Sequence, residues 1–116
     1  MAYELKRVVP KANLSPASIL QAKDGVISRT DVKNGGTLRV PAIEEAKVGD
    51  NLYVFVAGNG KFFASVTYND VNLGKPLEFS ILYEVFSEGH TIVADYIFVQ
   101  GGNEYFSPPA EYELKD

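Results

Sequence analysis

Residues 51–68 read NLYVFVAGNGKFFASVTY, two apolar-rich runs around Gly58-Asn59-Gly60. Alternation with a period of two between turn residues marks β-strands, not helix. In the first run Leu52, Val54 and Val56 share one face and Tyr53, Phe55 and Ala57 share the other. Asn59-Gly60 predicts a tight hairpin turn, since both residues tolerate positive φ. Strands are therefore expected over 51–57 and 62–68.

The same punctuation continues on both sides. Upstream, 18–22 (SILQA) ends at the turn pair Asp24-Gly25, and 37–42 (TLRVPA) follows Asn34-Gly35-Gly36. Pro41 limits that second strand, because proline removes a ladder donor. Downstream, 76–82 (PLEFSIL) aligns Leu77, Phe79 and Ile81, and residues 83–89 form a connection with room for one helical turn. A long strand over 90–100 reaches the turn Gly101-Gly102-Asn103, and a last strand over 104–114 is interrupted by Pro108-Pro109. No segment keeps a helical period. About seven short strands at this spacing suit an antiparallel β-sandwich.

Composition bounds the rest. The 116 residues hold one hydrophobic core, with 46% hydrophobic and 22% charged residues, as in an ordinary globular domain. The net charge of -4 and the scattered Lys and Arg argue against nucleic acid as partner, which normally requires a basic stripe. With no Cys there is no disulfide or thiolate metal site. The N-terminus MAYELKRVVPKANLSP lacks the apolar stretch of a secretory signal, and no window reads as a membrane span. Residues 1–14 read as an N-terminal arm or extra strand and 15–116 as the domain proper.

Chemistry is sparse. The one histidine, His90, has no nucleophile or orienting group beside it in the sequence, and reads as a solvated residue at a strand edge. The acids Asp24, Asp31, Glu44, Glu45, Asp50, Asp70, Glu88 and Asp95 lack EF-hand spacing. Calcium held between loops stays an open alternative to solvated turn acids. No phosphate loop or dinucleotide fingerprint occurs. The chain is expected to be no enzyme and to carry no cofactor or metal.

The ordered motifs from Ile19 to Leu114 resemble the immunoglobulin-like repeat domains of large bacterial surface and adhesin-type proteins. The matching residues are Ala22, Gly25-Val26-Ile27, LRVP at 38–41, VGD at 48–50, Gly58, GKPLEFSI at 74–81, Gly89-His90-Thr91, Tyr96, Gly101 and Ser107-Pro108. The resemblance implies an immunoglobulin-like antiparallel sandwich that works as a spacer or adhesive module at a cell surface, not by turnover. One departure concerns the core: the family carries Trp two places before the closing Gly, and here that place is Val56. Phe62, Phe79 and Tyr96 are the candidates to fill the volume.

Surfaces remain as the working parts. With Leu52, Val54 and Val56 inward by the family register, Tyr53 and Phe55 point out. With Ile92, Ala94, Tyr96 and Phe98 inward, Val93, Ile97 and Val99 point out beside Asp95. Neighbouring strands would merge these into one apolar patch, joined by Phe63 if its strand lies in the same sheet. Three uses stay open: cover by a terminus or loop, self-association or docking of a neighbouring domain, and a carbohydrate platform using Tyr53, Tyr83, Tyr105 and Tyr112. The tetrapeptide YELK occurs at 3–6 and again at 112–115. The arm, through Tyr3, Leu5 and Val8, is thus a candidate to add a strand to a neighbour's sheet edge, building a homo-oligomer. A flexible or self-packed arm is the other reading.

Overall fold

The computed structural model describes residues 14–116, and its elements there are strands joined by turns and two short 3-10 segments. The strands are β1 (Ser18–Ile19), β2 (Val26–Ser28), β3 (Gly36–Val40), β4 (Asn51–Ala57), β5 (Lys61–Thr67), β6 (Leu77–Ile81), β7 (Thr91–Gln100), β8 (Asn103–Phe106) and β9 (Ala110–Lys115). They form two sheets packed as a sandwich, one in the order β1-β3-β6 and the other in the order β2-β9-β7-β4-β5, with β8 also on β7. The architecture is all-β, as the alternation requires.

The core comes from the inward half of each alternation. Leu52, Val54, Ile92, Ala94 and Phe98 are fully buried, and Val56 and Tyr96 nearly so. Each fully buried Val, Leu, Ile or Phe contributes about 1.5–3 kcal/mol, so β4 and β7 anchor the sheet. The largest side chains of the core are Tyr68, Tyr96, Phe98 and Phe86, the last from the 3-10 segment Tyr83–Phe86. Phe62 and Phe79 pack against this core only half-buried. Phe86 lies so close to Gly36 that a Cβ there would meet its ring at 2.7 Å.

Several local expectations need correction. The strand over 18–22 stops at Ile19, because the Gln21 side chain takes over the pairing: the Thr37 N–H donates to its Oε1 at 2.9 Å. Asp24 (φ 52°) and Gly25 (φ 79°) then make a left-handed two-residue turn closed by the Lys23–Val26 pair, which swings the chain into the other sheet. There β2, which the sequence did not mark as a strand, runs parallel to β9 with Val26 opposite Glu113. At the central hairpin Asn59 is not left-handed. The turn is held by tertiary contacts: the Asn59 N–H donates to Val85 O at 3.0 Å, and its side-chain amide donates to Ser87 Oγ at 3.2 Å. Gly58 has no room for a Cβ, which would fall on the Val85 carbonyl and Ile92.

The last strand is broken by an inserted residue. Ile97 pairs with Phe106 and Ala94 with Ala110, so β7 spends residues 95 and 96 where its partner spends 107, 108 and 109. This is a β-bulge forced by Pro108-Pro109, which lack ladder donors. Ser107 repairs the gap. Its N–H donates to Tyr96 O at 3.0 Å, and its buried Oγ accepts from the Tyr96 N–H at 2.9 Å.

Candidate functional site

The outward half of the alternation lies on the exposed face of the larger sheet. Register sets its rows: Val93 beside Ala57, Asp95 beside Phe55 beside Phe63, and Ile97 beside Tyr53 beside Ser65. Val99 stands beside Asn51 in the next row. All six residues expected at an interface, Tyr53, Phe55, Phe63, Val93, Ile97 and Val99, therefore share one face, with β5 in the same sheet as β4. Phe63 is 60% exposed and the other five are half-buried. Its ring stacks on Tyr53 at 6.3 Å and tilts against Phe55 at 5.3 Å.

One member was missed. Phe106 on β8 pairs with Ile97 and is 65% exposed, extending the apolar face across the sheet. Period-two counting along β7 could not find it, because the partner of β7 at that point depends on the bulge.

Charge frames the face unevenly. Lys61, Glu104, Glu111 and Glu113 lie outward at its margins. Asp95 alone stands inside it, half-buried opposite Phe55 and beside the gap at the bulge. Among the described residues its carboxylate has no ion pair or side-chain hydrogen bond. Covering it without a cation or donor would cost free energy, so the face asks for a partner that is apolar with a basic group placed among the apolar ones.

The four tyrosines considered for sugar stacking do not gather. Tyr53 lies on the outer face. Tyr105 turns inward, stacked on Phe98 at 6.0 Å, and the Tyr112 hydroxyl accepts the Ile19 N–H at 3.1 Å between the sheets. Tyr83 sits in the 3-10 segment at one end. The bulge sets the direction of Tyr105 and Tyr112, and their sequence spacing does not show it.

His90 is exposed and borders a shallow depression of about 420 Å³ with Thr91, Glu111, Tyr112 and Glu113. Among the described residues no three His, Asp or Glu side chains gather as metal ligands. A further cavity of about 220 Å³ is lined by Leu14, Ser15, Glu44, Glu45 and Tyr96, without a nucleophile–base pair. The Tyr96 hydroxyl donates to Ser15 O at 2.5 Å, tying β7 across to the segment before β1. Burial pushes both Tyr96 and Tyr68 up to about 12, with Asp50 adding to Tyr68 and Tyr68 adding to Tyr96. The arm residues Tyr3, Leu5 and Val8 lie outside the described residues.

No family model matches this chain, and no curated protein or solved structure matches it, so the resemblance to bacterial surface repeats has no support from comparison.

Proposed function

We propose that this protein is a non-catalytic, immunoglobulin-like structural or adhesive module that associates with copies of itself or with neighbouring domains. The single observation behind this reading is the outer face of the larger sheet, where Tyr53, Phe55, Phe63, Val93, Ile97, Val99 and Phe106 adjoin with one half-buried carboxylate among them. Soluble domains rarely keep contiguous apolar faces of this kind without a partner. The strand order, with β2 running parallel to β9 while β1 joins the opposite sheet, favours the immunoglobulin-like description over other sandwiches.

Phe63→Asp is the cleanest probe, because Phe63 is exposed and stands apart from Asp95, whereas Phe55 faces that carboxylate directly. The variant should keep the wild-type thermal transition within a few degrees and lose the assembled species in light scattering. Equal assembly by variant and wild type would remove the outer face from the account.

A further inference from the structure

The loop between β3 and β4 lines two adjoining hollows at one end of the sandwich. The smaller, of about 220 Å³, is bounded by Leu14 and Ser15 together with Ala42, Ile43, Glu44 and Glu45. The larger, of about 470 Å³, shares Ala42, Ile43 and Glu44 and continues to Ala46 and to Leu73 of the β5–β6 loop. Its wall is mainly aliphatic: Ile43 and Ala46 are core residues and Leu73 packs on them half-buried. Glu44 and Glu45 are exposed and, among the described residues, make no ion pair.

We propose that the larger hollow seats residues 8–12 of the same chain, with Val8, Val9 and Pro10 on its aliphatic wall and Lys11 beside Glu44 and Glu45. The proposal is independent of self-association through the outer face. Chain continuity is the first observation behind it. The Tyr96 hydroxyl holds Ser15 O at 2.5 Å, and Leu14 packs on the core while lining the smaller hollow, so the segment preceding Leu14 departs from the hollows themselves. Pro10 lies four residues before Leu14 and Val8 six, which allows about 14 Å and about 21 Å of reach. The larger hollow begins at walls that the smaller one shares, well inside that radius.

Chemistry is the second observation. Residues 8–12 read VVPKA, three apolar side chains followed by one cation. Going back from Leu14, Lys11 comes first, at the distance of the acidic pair, and the apolar residues come next, at the distance of the aliphatic wall. The order along the chain thus matches the order of the surfaces. Burial of the two valines and Pro10 supplies most of the driving force, and the exposed Lys11 pair adds little beyond orientation. The tether selects the chain's own segment over a second copy, because a short linker holds it at an effective concentration in the millimolar range.

The absence of tryptophan makes the test direct, since a single one placed in the segment reports its own surroundings. In full-length Val9→Trp, fluorescence emission should be blue-shifted from that of a peptide of residues 1–13 with the same substitution, and should not change on dilution. Adding Ala42→Arg with Glu44→Lys, both at exposed positions, should return the emission to the peptide's value while the β-sheet circular dichroism stays that of the parent. Emission equal to the peptide's in the parent chain would overturn the proposal. So would a blue shift that survives Ala42→Arg with Glu44→Lys, which places the segment elsewhere. A blue shift lost on dilution would assign the hollow to a second copy and overturn it as well.

Discussion

The two faces of β4 and β7 carry residues of nearly the same kind to opposite ends. Inward, Leu52, Val54, Tyr96 and Phe98 are sealed from solvent; outward, Tyr53 and Phe55 pack on Phe63 and, like Ile97 and Val99, stay half-exposed. Polarity does not tell the faces apart, since both are apolar and aromatic. The difference lies in what stands across: the smaller sheet on one side, and no described element on the other. Fold stability therefore resides on the inner face, and the proposed recognition role falls to the outer one.

The largest expected break in this contrast is Phe98→Ala. Its ring contacts Tyr68 edge-on at 6.2 Å and Tyr105 at 6.0 Å, so truncation leaves a cavity between the sheets. A loss of about 3–5 kcal/mol in denaturant unfolding is expected. The outward Phe106→Ala should change unfolding by no more than about 0.5 kcal/mol, the usual range for a surface position. Similar losses for both would erase the distinction between the faces.

Next in size is alkaline unfolding. Tyr68 and Tyr96 are pushed up to about 12 by burial, so the folded state resists ionisation that the unfolded chain undergoes near 10. Their neutral forms are favoured in the fold, and the associated stability is full below pH 10 and lost as pH rises towards 12. Stability measured at pH 9, 10.5 and 11.5 should fall steadily, and a double Tyr68→Phe, Tyr96→Phe chain should flatten that fall. An unchanged slope would show that the two hydroxyls do not govern it.

The smallest effect separates the two tyrosines. The Tyr68 hydroxyl is buried without a protein partner among the described residues, while that of Tyr96 holds Ser15 O. Removing the first should leave stability level or raise it slightly. Removing the second should cost about 0.5–1.5 kcal/mol, the net worth of one hydrogen bond. Thermal unfolding of the two single variants checks the order.

Much of the sandwich was legible in the sequence because β4 and β7 are long, and a period of two repeated over several residues leaves little choice of face. β4 begins and ends where the alternation does. What escaped depends on contacts distant in sequence. β2 has three residues, too few to show a period, and exists because β9 lies beside it. Asn59-Gly60 looked like a self-sufficient turn, yet it is shaped by Val85, Glu84 and Ser87 from another segment. The bulge at residues 107–109 sends Phe106 out and Tyr105 and Tyr112 in, which altered both the proposed interface and the sugar platform.

The central claim is that the outer face works by covering itself with a partner, with a second copy as the first candidate. Light scattering on a dilution series of the full-length chain tests it most directly. The account predicts a mass well above the 12.7 kDa of one chain at high concentration, falling to that value on dilution. A mass that stays at 12.7 kDa at every concentration, up to the solubility limit, would contradict self-association through the outer face.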